Sequence, residues 1–219
     1  MYGNFFFKSR EMHPIEQQYV YDVYDGISDD FNERRFSVWG FVKNFMCDKQ
    51  NLSGIDIGCG NGKNMVHANM VGIDTCSNLL HICTKKNKDV VYGCCCNLPF
   101  KDNSFDYGIS ISVFHHLASS ERRLKAIHEM IRVVKPGGKC MFNVWSVENQ
   151  ARRTFRPGDN MVSYRNKSQK NINTPEIVYR YYHIYDYDMI NELISLIKGV
   201  HNIQLKNEKG NWIVYMTKI

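Results

Sequence analysis

The stretch "SGIDIGCGNGKNMVHANMVGIDTCS", Ser53 to Ser77, restricts the fold more than any other part of the chain. A short apolar run ends in glycines at Gly58, Gly60 and Gly62, and a carboxylate follows at Asp74 after a second apolar run. Closely spaced glycines let the backbone turn sharply and approach a ligand without a Cβ in the way. A strand that enters such a turn and leaves it with a later acid is the start of an α/β unit that holds a ligand at the turn.

The details of the turn argue against a dinucleotide. The expected third glycine of G-x-G-x-x-G is missing, and Asp56 stands inside the strand just before the turn. A carboxylate there repels pyrophosphate but suits a sulfonium amino acid with a free ammonium. The ligand that fits is S-adenosylmethionine. Asp56 faces its ammonium directly or through water, and Asp74 accepts bonds from its ribose hydroxyls.

Periodicity predicts helix from Gln17 to Met46, where Tyr24, Ile27, Phe31, Val38, Phe41, Val42 and Phe45 recur at three-to-four spacing. Apolar runs predict strands at "GIDIG", "MVGID", "DVVYGC", "FDYGISISV" and "KCMFNVW". "SERRLKAIHEMIRVVKPGG" predicts a helix capped by Ser119 or Ser120 and ended by Pro136-Gly137-Gly138. "DYDMINELISLIKG" predicts an amphipathic helix closed by Gly199, and "HNIQLKN" and "NWIVYMTKI" predict a hairpin turning at "EKG". The expected fold is α/β and Rossmann-like: a mostly parallel seven-stranded sheet, helices on both faces, and a terminal antiparallel hairpin. The 219 residues suffice for one domain, with 1–50 a helical N-terminal extension and 150–175 a basic loop.

"IDIGCGNGK", "GIDTCS", "NLPFKDNSFDYGISISVFHHL" and "VVKPGGK", in this order, resemble the class I methyltransferase pattern. "SISVFHHLASSERR" followed by "VKPGGKCMFNVWSVE" is more particular. It resembles the eukaryotic tRNA methyltransferases that esterify 5-carboxymethyluridine at wobble position 34 of the anticodon. "YDGISDDFNERRFSVW", "RYYHIY" and "EKGNWIV" extend the likeness to both ends. The resemblance carries the cofactor site onto Asp56, Gly58, Gly60, Asn61, Gly62, Asp74, Thr75, Cys95 and Ser112. Cys94 replaces the acid that the family commonly places near the adenine amino group, so adenine recognition falls to backbone groups around Cys95.

The chemistry implied needs no general base, because the acceptor carboxylate is already ionised at neutral pH. It needs the acceptor held in line with the sulfonium methyl, with water excluded. Arg35, His116 and Arg180 are the candidates to grip it, with Tyr181 and His183 nearby in sequence. A splayed wobble base needs a stacking platform, for which Trp39, Tyr182 and Trp145 are candidates. Each has a plainer reading: Trp39 and Trp145 as core, His115-His116 as the end of a strand, Arg122 and Arg123 as a solvated helix face, and His128 as a surface residue. Two other functions stay open, a small-molecule methyltransferase and an inactive cofactor-binding RNA scaffold.

Charge and cysteines bear on partners. The net charge is +6, and from Ala151 to Lys170 stand Arg152, Arg153, Arg156, Arg165, Lys167 and Lys170 against one acid, Asp159. Beside these motifs the cluster predicts a surface for the tRNA anticodon loop. The eight cysteines show no zinc-ligand spacing, so no metal site and no disulfide framework is expected. Free thiols, with no signal peptide and no membrane span, point to the cytoplasm, with a nuclear pool compatible. The resemblance also implies a heterodimer with a small zinc-binding activator subunit shared by eukaryotic methyltransferases. "DVVYGCCC" lies at the sheet edge in the usual strand order. From Val90 to Cys94 it carries no Lys or Pro to blunt that edge. Either the activator covers it, or a loop or the Phe5-Phe6-Phe7 segment of the chain itself does.

Overall fold

The computed structural model describes residues 13–148, 150, 154–167 and 176–219. Its main sheet runs in the order β3-β2-β1-β4-β5-β9-β8. The strands are β1 (Gly54–Ile57), β2 (Met70–Asp74), β3 (Asp89–Tyr92), β4 (Phe105–Ile111), β5 (Val134–Trp145), β8 (Val200–Glu208) and β9 (Asn211–Lys218). β1 to β5 pair in parallel, and β9 enters antiparallel between β5 and β8. The expected seven-stranded α/β fold is therefore present. β1 is buried along its whole length, as a central parallel strand covered on both faces must be.

Two cores lie on opposite faces of the sheet. Helices α6 (Ser120–Val133) and α7 (Tyr187–Ser195) cover one, where Ile127, Met130, Ile190, Trp212 and Val214 meet Ile55 and Ile57. Helices α4 (Gly40–Met46) and α5 (Ser77–Lys85) cover the other, where Phe41, Val42, Leu80 and Ile213 meet Tyr107 and Ile109. The alternation is visible within β9: Trp212 and Val214 go to one core and Ile213 to the other. The β8–β9 hairpin turns through Lys209 and Gly210, both at positive φ, the mark of a two-residue turn that matches strand twist.

Three expectations need correction. The predicted Gln17–Met46 helix is broken into pieces: a π-helical turn (Gln17–Tyr21), α2 (Asp22–Gly26), α3 (Ser28–Arg34) and α4, preceded by α1 (Pro14–Glu16). The chain leaves helical geometry between Arg34 and Gly40 and there crosses the mouth of the crevice. Pro136-Gly137-Gly138 does not end α6. That helix is capped by Ser119, whose side chain accepts from Arg122 N, and it stops at Val133. Residues 135–138 form the irregularity where the register jumps from Phe105↔Val134 to Tyr107↔Lys139.

The 150–175 region is the third case. Its middle is a strand, β6 (Gly158–Asn166), paired antiparallel with β7 (Glu176–Ile184) as a separate two-stranded ribbon. Arg152, Arg153 and Lys170 lie outside the described residues, as does Phe5-Phe6-Phe7. The ribbon sits over the carboxyl ends of β1 and β4, tied there by Tyr164 Oη donating to Asp30 of α3 at 2.6 Å and by a bridge between Ser146 and Tyr185. β1 lies between β2 and β4, where strand order reverses. The crevice under the ribbon is thus where such folds bind ligands.

Candidate active site

The glycine turn is fixed by its neighbours. Gly58 and Cys59 donate backbone N–H to Ile73 O, at 2.7 and 3.0 Å. Gly58 has φ +73°, and a Cβ there would sit 2.3 Å from Val113 Cγ2, so no other residue fits. Gly60 has φ +54° and its N–H donates to Asp74 Oδ2 at 2.8 Å, while Cys76 N–H donates to Asp74 Oδ1 at 2.9 Å. Asp74 therefore braces the turn from below. Two of the roughly four acceptor positions of its carboxylate are used, which leaves room for hydroxyls from a ligand.

Asp56 is fully buried beneath the turn, not on the cleft wall. Both its oxygens lack a hydrogen-bond partner. Burial, and then the charge of Asp74, push its carboxyl up to about 7. A buried acceptor left unmatched is costly, and a cationic ligand in the turn offsets that cost. The open turn at Gly60, the spare positions on Asp74 and the unmatched Asp56 fit an adenosyl sulfonium amino acid.

Gly58, Gly60, Asn61, Asp74, Thr75, Cys95 and Ser112 line one continuous cleft. Gly62 sits below it, against Cys83 Sγ. Ser112 ends β4 at φ +62°, held by its N–H to Asn143 Oδ1 at 2.9 Å. Lys63 also lines the cleft, a residue the sequence reasoning passed over although it closes "GCGNGK". Burial, and then Arg35, push its ammonium below the usual lysine range.

Arg35, His116 and Arg180 line the same cleft, from three distant parts of the chain. Arg180 is 3% exposed on β7. Its guanidinium lies over the rings of Tyr164, Tyr182 and Tyr24, at 4.8, 5.2 and 5.7 Å. Nη1 donates to Tyr24 Oη at 3.1 Å and Nε has no partner. Among the described residues no carboxylate pairs with it. A buried cation held only by aromatic faces and one hydroxyl is set to receive an anion.

His116 plays a different part from the one expected. Its Nδ1 is 2.8 Å from Tyr181 O, so Nδ1 carries the proton and donates; Nε2 then accepts from Tyr24 Oη at 3.0 Å. Burial drives its pKa down to about 3, so the ring is neutral at pH 7. With both nitrogens used and no charge, His116 does not grip an anion; it aims Tyr24, which aims Arg180. Tyr181 and His183 point elsewhere, both to Asp159 Oδ1 at 2.7 Å. Period-two alternation puts Val162, Tyr164, Arg180 and Tyr182 on one ribbon face and Met161, Ser163, Arg165, Ile177 and Tyr179 on the other.

The aromatic candidates divide. Trp145 and Trp39 both line the cleft, half-buried: Trp145 packs against Tyr182, Phe155 and His115 at 4.4, 5.7 and 5.8 Å, and Trp39 stacks on Phe41 at 5.8 Å. Tyr182 is buried, with His115 stacked on it at 4.8 Å. Arg35 is exposed at the cleft mouth, and its carbonyl accepts from Asn61 Nδ2 at 2.9 Å. Arg122 and Arg123 are not a solvated face. Arg122 grips the fully buried Glu16 through two bonds of 2.7 and 2.8 Å, and Arg123 is buried on Leu117 O. His128 is half-buried and accepts from Lys198 N at 3.4 Å.

Residues 55–142 match the methyltransferase domain family. A tRNA (carboxymethyluridine(34)-5-O)-methyltransferase of Schizosaccharomyces pombe is 34% identical over 93% of this chain and 97% of its own. One of the same name from Arabidopsis thaliana is 41% identical over 62% of this chain, which spans only 35% of that longer protein. Among solved structures, an S-adenosylmethionine-dependent methyltransferase of Methanosarcina mazei superposes with a TM-score of 0.63 at 16% identity, over 84% of this chain and 99% of its own. A methyltransferase of Haloferax volcanii, solved in complex with a methyltransferase activator, gives 0.62 at 15% identity over 91% and 98%. The glycine turn and acids of an S-adenosylmethionine site thus sit on the methyltransferase fold, and the chain belongs to the tRNA (carboxymethyluridine(34)-5-O)-methyltransferase family.

Proposed function

We propose that the chain transfers a methyl group from S-adenosylmethionine to the carboxylate of 5-carboxymethyluridine at position 34 of tRNA, forming the methyl ester. The observation that carries this reading is Arg180, a buried guanidinium facing the cofactor cleft with no carboxylate partner among the described residues. It supplies what an anionic acceptor needs and what a neutral acceptor would leave unmatched.

When bound, the cofactor supplies an electrophilic methyl on its sulfonium. The protein supplies position. Arg180 takes the acceptor carboxylate, with its fork aimed by Tyr24 and Tyr24 aimed by neutral His116. No proton needs to move, since the nucleophilic oxygen is already ionised, and the absence of a charged histidine beside it is consistent with that. Trp145 and Trp39, both lining the cleft, receive the flattened base, and the ribbon excludes water above it. Exposed Arg156, Arg165 and Lys167, with half-exposed Tyr179 on the outer ribbon face, make the phosphate-binding surface.

The activator belongs to the same reading. β3 is an edge strand whose outer side carries no neighbour among the described residues, and Tyr92 on it is 49% exposed. A strand from a small zinc-binding subunit satisfies those backbone groups, and the Haloferax neighbour's complex with an activator supports such a partner. The eight unpaired cysteines support a reducing, cytoplasmic location. The test is transfer of labelled methyl to tRNA purified from cells that lack the ester, followed by nucleoside digestion. Label in the methyl ester of 5-carboxymethyluridine is expected; label in another nucleoside, or only in small molecules, refutes the proposal.

A further inference from the structure

Three consecutive cysteines, Cys94, Cys95 and Cys96, take no part in the reaction beyond the place of Cys95 in the cleft wall. In an extended chain neighbouring side chains point to opposite sides. Here the backbone turns directly after β3, where Asn97 N–H donates to Cys94 O at 3.1 Å. The turn gathers all three Sγ atoms within 4.8 Å of one another. Thiolates around one ion at about 2.3 Å stand about 4 Å apart, so under 1 Å of adjustment closes the trio on a metal.

The trio has polar neighbours. Cys96 N–H donates to Cys94 Sγ at 3.4 Å, and Arg122 Nη2 lies 4.0 Å from the same sulfur. Cys96 Sγ donates to Arg122 O at 3.5 Å, a bond that is given up when an ion is bound. Arg122 is itself anchored by Glu16, so its charge stays in place. Cys94 and Cys95 are half-buried, which leaves an entry path, and Cys96 is buried. No histidine or carboxylate joins the trio among the described residues. A three-sulfur set without a fourth hard ligand selects a soft monovalent ion over zinc.

We propose that Cys94, Cys95 and Cys96 form a three-thiolate site for a soft d10 cation, Cu(I) in preference to Zn(II), at the edge of the cofactor cleft. Each ligating thiol loses its proton to solvent as the ion binds. The assignment stands apart from the methyl-transfer reading and from any metal in a partner subunit.

The test uses the full chain, with whatever subunit co-purifies, titrated with Cu(I) against a chromogenic Cu(I) chelator. One equivalent per chain should resist the chelator, and a C94S/C95S/C96S variant in the same background should lose that equivalent, so that any partner's metal cancels. Should the triple variant fail to fold, the wild type decides. Cu(I) should slow alkylation of the peptide 89–101 at least tenfold while exposed Cys47 reacts as before. Equal copper retention by both proteins, unchanged alkylation of that peptide, or tighter retention of Zn(II) than Cu(I) overturns the proposal.

Discussion

Replacing Arg180 by methionine separates what the residue does for the fold from what it does for the reaction. Among the described residues the 3%-exposed guanidinium has no counter-carboxylate and an unpaired Nε. Burying an ion costs several kcal/mol even after relaxation. Three tyrosine faces, at about 0.5–2 kcal/mol each, and one bond to Tyr24 return a similar amount. Methionine fills much of the same volume without a charge, so the unfolding midpoint should stay within about 4 °C of wild type, the shift that roughly 1 kcal/mol produces in a domain of this size. Activity should behave otherwise. A hydrogen bond to a charged group contributes about 1.5–3 kcal/mol, which converts to a loss of about tenfold to a hundredfold in kcat/KM for tRNA. Arg180→Lys should recover only part, because it keeps the charge but not the fork. The assays are methyl transfer at saturating cofactor, calorimetric cofactor binding and thermal unfolding. A kcat/KM within twofold of wild type for Arg180→Met, or a loss that tracks a collapse in stability or cofactor affinity, refutes the carboxylate-binding role.

Three further outcomes follow from other parts of the molecule. The Asp56 carboxyl titrates at about 7 in the fold, against about 3.9 in an unfolded chain. The unfolded chain then holds fewer protons between about pH 4 and pH 7, so this group makes the ligand-free fold lose stability as pH rises through that window. Asp56→Asn should remove the loss, so the variant's midpoint should gain on wild type from pH 4 to pH 7, while cofactor binding weakens; parallel pH profiles would exclude it. Replacing exposed Arg156 and Arg165 with Ala should flatten the salt dependence of tRNA binding by nearly two units of log–log slope, and an unaltered slope would move the RNA surface elsewhere. Val91→Lys on the bare edge of β3 should prevent co-purification with the activator subunit while leaving cofactor binding at the glycine turn intact, and recovery of the complex at wild-type yield would argue for another interface.

The strands were legible where burial on both faces makes the sequence run apolar. β1, β2 and β4 are such runs, and turn residues bound them. β6 was not, because its alternation carries Asp159, Ser163 and Arg165 on one face and mixes the amides Asn160 and Asn166 with Val162 and Tyr164 on the other, so "GDNMVSYRN" reads as a polar loop. Arg122 misled for a related reason. Its partner Glu16 stands 106 residues away, and no helical period reports a contact that long.

The cofactor half of the site was readable for a local reason, and the proposed acceptor half only partly so. Gly58, Gly60 and Asp74 act through one short turn and the strand beside it, so local sequence contains the whole device. Arg180 acts through a register. Val162↔Arg180 pairing sets Tyr164 on the guanidinium, and Tyr24 arrives from α2, 156 residues earlier. A one-residue slip between β6 and β7 would turn Arg180 to the outer face and bring Tyr179 or Tyr181 inward. The register is held by Tyr164 to Asp30 and by Tyr181 and His183 to Asp159. Asp159 thus anchors the register that keeps the Arg180 cation on the cleft side of the ribbon, without touching it.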